Sequence, residues 1–348
     1  MTQAVVTRFN IPINQPLKHA EDIESESSSI RLLYLGQIPG WQTQAAYHTV
    51  AELMTAETPD TIIISQPADP YVCLGYHQKL EHVFDSEASD KLEIPIIRRK
   101  IGGGGTFLNK DQLFYQCIFH SNRVAANSTK VYEQMLTPVV NTLSHYPDIE
   151  AKLVGSHEIE INGKRIAGIG GGQIGEASIV VGNILFDFDF DSAAAMWSAP
   201  NEAYRELGKQ AMQDHMITLD NLGCDISMDK VADQLIQEFE KHFQRNLNPS
   251  GLSMAEIERA GQIGAMLRSD SFLNHIEDTG PRKPLKISRD VFIHYDEMEI
   301  KGEQIAGSFR VESGKIHSVK LEKPHQKYEA NLVGESFEDW KLKLIGMV

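Results

Sequence analysis

The sequence has few cysteines, little basic charge and no long apolar run. Its cysteines, Cys73, Cys117 and Cys224, are widely spaced, without a CxxC pair or a neighbouring histidine cluster. This spacing favours neither a disulfide framework nor a zinc site and is typical of reduced thiols. No stretch approaches the roughly 20 apolar residues that span a bilayer, and the N-terminus lacks the pattern of a signal peptide. We therefore expect a cytoplasmic protein without a membrane segment.

The charge balance excludes two further classes of partner. The 348 residues include 33 lysines and arginines against 48 aspartates and glutamates, which gives a formal net charge of −15. Nonspecific binding of nucleic acid or of an anionic membrane needs a basic surface, so we expect neither partner. The length is sufficient for one large domain accompanied by a smaller one.

What the chain does contain is a run of glycines beside a run of cations. Arg98, Arg99 and Lys100 lead into four consecutive glycines, which are Gly102, Gly103, Gly104 and Gly105. Consecutive glycines lose much conformational entropy on folding, so they are expected where the backbone takes positive φ or lies against a ligand. Free N–H groups next to cations suit phosphate or carboxylate. The run predicts an anion-binding loop, and the alternative is a structural bulge between strands.

A second glycine cluster occurs at residues 168–175. Gly170, Gly172 and Gly175 satisfy the GxGxxG pattern, but in a dinucleotide-binding fold a helix begins at the third glycine. Here the segment 176–186 is rich in strand-forming residues, so a strand, a turn and a second strand are the better interpretation. Upstream, Asn162-Gly163 is a strong hairpin signal.

Apolar runs outline the elements around these motifs. Ile94–Ile97 leads into the first glycine run and Leu113–Phe119 leads away from it, which predicts a hairpin or adjacent strands that hold the loop rigidly. Residues 246–251 have the composition of a linker, and a helix is predicted at 253–268. Three strands are predicted at 285–295, 304–311 and 315–321, and a closing helix at 336–344.

Several motifs, in order, resemble those of the lipoate–protein ligase A family. The run from Arg98 to Phe107, followed by Gln112 to Tyr115, resembles the family's Arg-Arg-x-Ser-Gly-Gly-Gly-Ala-Val-Tyr-His-Asp loop, which octanoyltransferases share. Asn162 to Gly168 resembles its Gly-Lys-Lys-Ile-Ser-Gly strand, and Gly75 to Gln78 resembles its Gly-x-x-Gln segment. Ile217 to Leu219 resembles its Ser-Leu segment ahead of the last helix.

The resemblance implies the fold of the biotin and lipoate protein ligase superfamily. This is an α+β catalytic domain of mixed, mainly antiparallel sheets flanked by helices, which many lipoate ligases extend with a small α+β accessory domain. We accordingly expect a flexible lead-in (1–29), a catalytic domain (30–246), a linker and helical connector (247–282) and a C-terminal accessory domain (283–348).

The resemblance also implies an activity. Such an enzyme activates lipoate or octanoate with ATP and Mg²⁺, then passes the acyl group to a lysine of a lipoyl carrier protein, either an E2 domain or a glycine-cleavage H-like protein. The acyl-adenylate would lie along the glycine loop, Arg98 and Arg99 would stabilise its phosphate, and strand-end side chains such as Tyr76 would line the acyl tunnel. The residues assigned to its binding on this basis are Arg98, Arg99, Gly102, Gly103, Gly104, Gly105, Gly75, Tyr76, His77, Gly168, Asn183 and Asp187. For Asn183 and Asp187, a structural polar face is the alternative to the nucleotide and its magnesium.

The sequence departs from the family pattern at site positions. The family's acyl-contacting lysine is Arg165 here, and Lys164 lies one step earlier. Neighbouring strand residues point to opposite faces, so Lys164 can replace that lysine only through a bulge or a register slip. Leu108-Asn109 stands for the family's His-Asp, Asp111 for its following glycine, and Val181-Gly182 for its His-Gly. Both Arg165 and Lys164 therefore remain catalytic candidates.

Three functions stay open at this point. The first is an ATP-dependent lipoate–protein ligase, and the second is an octanoyl or lipoyl acyltransferase that works without ATP and in some relatives uses a cysteine. The third is a non-catalytic binder of lipoylated protein or acyl-adenylate. Cys73 and Cys117 lie in apolar runs, which predicts buried side chains and poor nucleophiles.

Overall fold

The computed structural model describes residues 29–224, 226–276 and 280–347. The lead-in expected at residues 1–29 lies outside them, except for Ser29. The strands are β1 (Ile30–Ile38), β2 (Thr61–Pro67), β3 (Tyr71–Leu74), β4 (Ile96–Arg98), β5 (Thr106–Leu108), β6 (Gln112–His120), β7 (Ala151–Val154), β8 (Glu158–Ile161), β9 (Lys164–Arg165), β10 (Ile169–Ile174), β11 (Ala177–Leu185), β12 (Leu247–Pro249), β13 (Leu285–Ser288), β14 (Val291–Ile300), β15 (Glu303–Glu312) and β16 (Lys315–Leu321).

The α-helices lie between and around these strands. They are α1 (Gly40–Glu52), α2 (Leu80–Val83), α3 (Ser86–Leu92), α4 (Ser128–Ser144), α5 (Phe190–Ala195), α6 (Glu202–His215), α7 (Met228–Phe243), α8 (Met254–Leu267), α9 (Asp270–Leu273), α10 (Glu329–Leu332) and α11 (Trp340–Ile345). In the described part of the chain, no helix is both long enough and apolar enough to cross a membrane.

A six-stranded sheet, in the order β10-β11-β6-β2-β1-β12, forms the centre of the fold. β1 pairs parallel with β2 and β12, and the remaining pairs are antiparallel. Ile62 and Ile64 pack in one core cluster with residues of α4 and α7, whereas Ile63 packs in a second cluster with residues of α1. Both faces are thus covered, which explains why β2 is apolar without alternation. The expected α+β fold with mainly antiparallel pairing is confirmed.

Two small sheets carry the loops of interest. β3 lies between β4, which runs parallel to it, and β5, which runs antiparallel, so residues 99–105 cross from one side of β3 to the other. β6 belongs to the central sheet, and the expectation that the runs at 94–97 and 113–119 are adjacent strands is wrong. The short strand β5, which the sequence pattern does not reveal, lies between them along the chain.

The hairpin matches the sequence expectation, whereas the second glycine cluster, predicted as a turn between two strands, is itself the strand β10. Asn162 and Gly163 join β8 to β9 with φ of 53° and 73°, the left-handed conformation that an Asn-Gly hairpin turn requires. β10 and β11 pair antiparallel across the turn at Gly175. The segment that follows the GxGxxG pattern is therefore a strand, as predicted, and not a nucleotide-binding helix.

The segment after α7 is more firmly attached than its linker composition suggests. β12 pairs with Ile30–Leu32 at the edge of the central sheet, where Pro249 is tolerated because an edge strand has unpaired positions. The predicted capping box of α8 is confirmed. Ser253 Oγ accepts the Glu256 N–H at 3.2 Å, and Glu256 Oε2 accepts the Ser253 N–H at 2.7 Å. Glu256 also pairs with Arg31 of β1 at 2.7 Å.

The C-terminal part contains a four-stranded antiparallel sheet, β13-β14-β15-β16, with a core of its own that includes Phe309, Trp340 and Leu344. The first predicted strand run, at 285–295, divides into β13 and β14. This sheet lies against α6, where Arg310 pairs with Asp214 at 2.5 Å. In this arrangement β13 lies beside the glycine loop.

Candidate functional site

A cavity of about 350 Å³ opens beside the glycine loop. It lies among β3, the glycine loop, β9, β11 and β13. From the residues assigned to the site on sequence, the cavity brings together Arg99, Gly103, Gly104, Gly105, Arg165, Gly168 and Asn183. The assigned residues that do not line it are Arg98, Gly102, Gly75, Tyr76, His77, Lys164 and Asp187.

Arg98 is fully buried and holds backbone rather than facing the cavity. Its Nη1 donates to the carbonyl oxygens of Gly75, Tyr76 and Gln78 at 2.7 to 3.0 Å, and its Nη2 donates to that of Leu273 at 2.5 Å. Burial lowers the pKa of this guanidinium to about 10. The expectation that Arg98 stabilises a ligand phosphate is not supported by this geometry, because those donors already bind carbonyls.

Arg99 lines the cavity and shapes the glycine loop from within. Its Nε and Nη2 donate to the Gly102 carbonyl at 3.1 and 2.9 Å, and Nη2 also donates to that of Gly104 at 2.8 Å. Its Nη1 reaches the Cys73 carbonyl at 3.2 Å. The guanidinium therefore holds the Gly102 and Gly104 carbonyls of the loop and places a positive charge at the cavity wall.

A close backbone contact sets the position of the loop. A Cβ at Gly75 would lie 2.0 Å from the Gly103 carbonyl oxygen, and Gly103 itself has φ of 104°. Glycine, which has no Cβ, fits both the close contact at position 75 and the positive φ at position 103. The Gln78 side chain closes the turn after β3 by accepting the Gly75 N–H at 2.9 Å. The turn and the glycine loop thus pack as one unit.

Tyr76 and His77 face away from this cavity. The Tyr76 ring packs against His275 at 4.9 Å and against Phe272 at 6.2 Å between centroids, which places it beside α9. His77 lines a second cavity of about 320 Å³ on the other side of the glycine loop. The expectation that Tyr76 lines an acyl tunnel is not supported by this placement.

His48 is a residue that sequence reasoning missed. It is fully buried on α1, its Nδ1–H donates to the Gln44 carbonyl at 2.7 Å, and its Nε2 accepts the Lys100 N–H at 2.9 Å. Burial lowers the pKa of this imidazole from 6.5 to about 3, so it stays neutral. Lys100 itself pairs with Glu52, away from the cavity. No sequence motif indicates this support, because α1 lies far from the loop in the chain.

Arg165, and not Lys164, faces the cavity. Arg165 lies opposite Glu160 in the strand register of the hairpin. Its guanidinium forms no hydrogen bond or ion pair among the described residues. Burial lowers the pKa of this guanidinium, and the nearby Glu158 and Glu160 oppose that effect. An unpartnered cation at a cavity wall is suited to bind an anionic group of a ligand.

Residues 41–240, more than half of the chain, match the family described as the lipoyl protein ligase A/B catalytic domain. The chain belongs to this family. Among its relatives, an octanoyltransferase LipM of Kyrpidia tusciae is 22% identical over 241 residues, which are 62% of this chain and 87% of the relative. Lipoate-protein ligase A subunit 1 of Thermoplasma acidophilum is 24% identical over 204 residues, which are 56% of this chain and 77% of the relative.

Solved structures of lipoate ligases share the fold. The bipartite lipoate protein ligase of Thermoplasma acidophilum superimposes with a TM-score of 0.65 and 20% identity, covering 72% of this chain and 98% of that one. A lipoate-protein ligase A bound with ATP superimposes with a TM-score of 0.59 and 20% identity, covering 70% of this chain and 98% of that one. Plasmodium falciparum LipL1 gives 0.58 at 13% identity over 90% of this chain and 94% of that one, so the likeness reaches beyond the catalytic domain.

Two family departures change the chemistry of the cavity wall. Leu108 and Val181 line it at positions where the family pattern has histidines, and Phe114 and Ile169 add further apolar surface. The cavity lining therefore combines apolar side chains with the guanidinium of Arg165. Such an arrangement suits an amphipathic ligand with an alkyl chain and an anionic head.

Asn183 and Asp187 are placed differently from each other. Asn183 lines the cavity, but its Oδ1 accepts the Gly168 N–H at 2.6 Å and its Nδ2 donates to Gln112 at 2.5 Å. Asp187 follows the end of β11, where its Oδ1 accepts the Phe188 N–H at 2.7 Å. This geometry favours the structural alternative for both residues.

Few metal ligands are available in the described part of the family domain. No group of three or more His, Cys, Asp or Glu side chains there could hold a metal ion. The cavity wall contributes Glu158 as its one described carboxylate, and Glu158 is already paired with Lys286 at 3.3 Å. The described residues of this cavity therefore do not form a magnesium site of their own.

Both strand cysteines are buried, as predicted. Cys117 lies in β6 outside the cavity, and burial raises the pKa of its thiol. Cys73 lies on β3 and does line the cavity, which the sequence did not indicate. Burial raises the pKa of the Cys73 thiol as well, although Arg99 opposes the effect. Cys73 is the cysteine that a covalent mechanism would have to use.

Proposed function

We propose that this chain is a lipoate–protein ligase that activates lipoate or octanoate with ATP and transfers the acyl group to a lysine of a lipoyl carrier protein. The observation that carries the proposal is the unpartnered guanidinium of Arg165, which faces an apolar-walled cavity bordered by the glycine loop. An alkyl chain with an anionic head matches that combination of walls.

The reaction that we propose has two steps, and residues of the cavity serve both of them. In the first step, the carboxylate of the acid attacks the α-phosphorus of ATP and pyrophosphate leaves. In the second, the carrier lysine attacks the acyl carbonyl and AMP leaves. Gly103, Gly104 and Gly105 border the cavity with backbone, and Arg165 supplies positive charge where negative charge develops. A guanidinium stays protonated, so Arg165 would stabilise charge and not act as a base.

Support for ATP comes from the fold shared with a ligase solved with ATP. The likeness to Plasmodium falciparum LipL1, which covers 90% of this chain, supports the ligase branch because it includes the C-terminal sheet. The phosphates of ATP can ligate magnesium, so the proposed reaction needs no metal ion held by the protein alone. The carrier, an E2 or H-like lipoyl domain, is part of the same proposal.

Octanoyl transfer without ATP is the second candidate. Relatives named octanoyltransferase LipM match this chain, and Cys73 lines the cavity. In that reaction a thiolate would attack an octanoyl thioester, release the donor thiol and then pass the octanoyl group to the acceptor lysine. Burial raises the pKa of Cys73 and so disfavours the thiolate that this route requires.

The first half-reaction tests the proposal without a carrier protein. Purified protein is incubated with ATP, magnesium, labelled pyrophosphate and either octanoate or lipoate, and incorporation of label into ATP is followed. Exchange that depends on the acid, and persists in Cys73→Ala, is the expected result. Absence of exchange with both acids, together with octanoyl transfer that Cys73→Ala abolishes, would replace the ligase with the transferase.

A further inference from the structure

The C-terminal sheet contributes a charged side chain to the cavity. Lys286 of β13 lines the cavity with Arg165, although the two residues lie in different parts of the chain. Its Nζ lies 3.3 Å from Oε1 of Glu158, and the Arg289 N–H donates to Oε2 of the same carboxylate at 3.2 Å. Glu158 is buried, whereas the Lys286 side chain is 43% exposed. One buried carboxylate thus holds both a side chain and a backbone group of the C-terminal sheet.

Lys286 also lies where two cavities meet. The second cavity, of about 320 Å³, shares Gly103, Gly104, Gly105 and Lys286 with the first. The glycine loop and Lys286 therefore border both spaces, and a ligand in either cavity would lie beside Lys286.

The charges of the site leave Lys286 available to a ligand. Arg99 is held by carbonyl oxygens, and Arg165 has no hydrogen-bonding partner among the described residues. Lys286 is the exposed member of its pair with Glu158, and the buried carboxylate keeps the Arg289 N–H and the nearby charge of Arg165 when the ammonium moves away. The flexible stem of lysine allows its ammonium to turn from Glu158 toward an anion without movement of β13.

We propose that Lys286 is a substrate-binding residue of this site, and that it contacts the phosphate of the acyl-adenylate opposite Arg165. This inference rests on the proposed ligase function. The C-terminal sheet then completes the ligand site, and Glu158 holds Lys286 in place while the cavity is empty of ligand. Loss of Lys286 removes a charge-assisted contact and also exposes the negative charge of Glu158 to the ligand.

The test uses a stable analogue, octanoyl sulfamoyl adenosine, whose ionised sulfamate replaces the acyl phosphate. Calorimetry of the full chain compares wild type with Lys286→Ala, Lys286→Arg and Glu158→Gln. We expect about tenfold weaker binding in Lys286→Ala, recovery in Lys286→Arg, and unchanged or tighter binding in Glu158→Gln. Lys315→Ala is the matched control, because Lys315 is an exposed lysine of the same sheet outside both cavities.

The double variant Glu158→Gln with Lys286→Ala separates direct contact from charge masking. If Lys286 touches the ligand, the double variant binds more weakly than Glu158→Gln alone. Equal affinity of those two variants would overturn the inference, as would equal affinity of wild type and Lys286→Ala. In either case, tight binding by wild type would leave the ligase proposal standing. Absence of binding by folded wild type would instead overturn both proposals, and circular dichroism confirms that each variant is folded.

Discussion

Arg98 Nη2 donates a 2.5 Å hydrogen bond to the carbonyl oxygen of Leu273, 175 residues further along the chain. The neighbouring Nη1 binds the turn that follows β3. Arg98 therefore joins the strand before the glycine loop to that turn and to α9. Its role is to position the loop, whereas its neighbour Arg99 lies at the cavity wall.

Removal of Arg98 is expected to destabilise the fold. Arg98→Ala leaves buried carbonyls without donors, which costs about 3 kcal/mol of unfolding free energy. Arg98→Lys recovers only part of the lost unfolding free energy, because one ammonium cannot bind both the carbonyls of the turn after β3 and that of Leu273. Urea unfolding measures both effects, with the exposed Lys130→Ala as control. Wild-type stability of Arg98→Ala would contradict this role.

Arg165 and Lys164 should differ sharply in their effect on activity. We expect Arg165→Ala to reduce the rate of pyrophosphate exchange about a hundredfold, since the charge at the cavity wall is lost. Arg165→Lys is expected to keep or raise the rate, because the family places lysine there. Lys164→Ala serves as the matched control and should change the rate less than about twofold. A larger loss in Lys164→Ala than in Arg165→Ala would reverse the assignment.

A pair of glycine variants distinguishes packing from ligand binding. In Gly75→Ala the new methyl group would meet the Gly103 carbonyl oxygen at 2.0 Å, so we expect a stability loss of about 2 kcal/mol or more. In Gly104→Ala nothing lies within 4 Å of the new methyl group, and Gly104 is part of the cavity wall. We expect Gly104→Ala to fold like wild type but to bind the sulfamoyl analogue more weakly. Thermal unfolding and calorimetry measure the two properties.

His48 should make stability depend on pH. Its pKa is 6.5 in the unfolded chain and about 3 in the folded protein, so below pH 6.5 only the unfolded chain gains the proton. The contribution of neutral His48 to stability is therefore present above pH 6.5 and lost as the pH falls from 6.5 toward 3. Relative to His48→Gln, wild type should lose about 1 kcal/mol between pH 6.5 and 5.5. Parallel urea-unfolding profiles of the two proteins would contradict the buried, neutral state.

Local patterns predicted much of the fold and less of the site. The turn at Asn162-Gly163 and the capping box at Ser253 depend on neighbouring residues alone, and both were predictable. Arg98 and Arg99 look alike in sequence, but Arg98 ends β4 with its side chain in the core, whereas Arg99 follows the strand and lines the cavity. Lys286 joins the site through packing between distant parts of the chain. No spacing in the sequence reports such a contact.

The most direct test of the account is acyl transfer to a carrier. A lipoyl domain is incubated with the protein, octanoate, magnesium and ATP, and its intact mass is measured, with parallel reactions that lack ATP or supply an octanoylated donor protein instead. For a ligase we predict that the lipoyl domain gains the mass of one octanoyl group only when ATP and octanoate are both present. This mass gain should disappear when the acceptor lysine is changed to arginine. Transfer from the octanoylated donor without ATP, and none from octanoate with ATP, would contradict it.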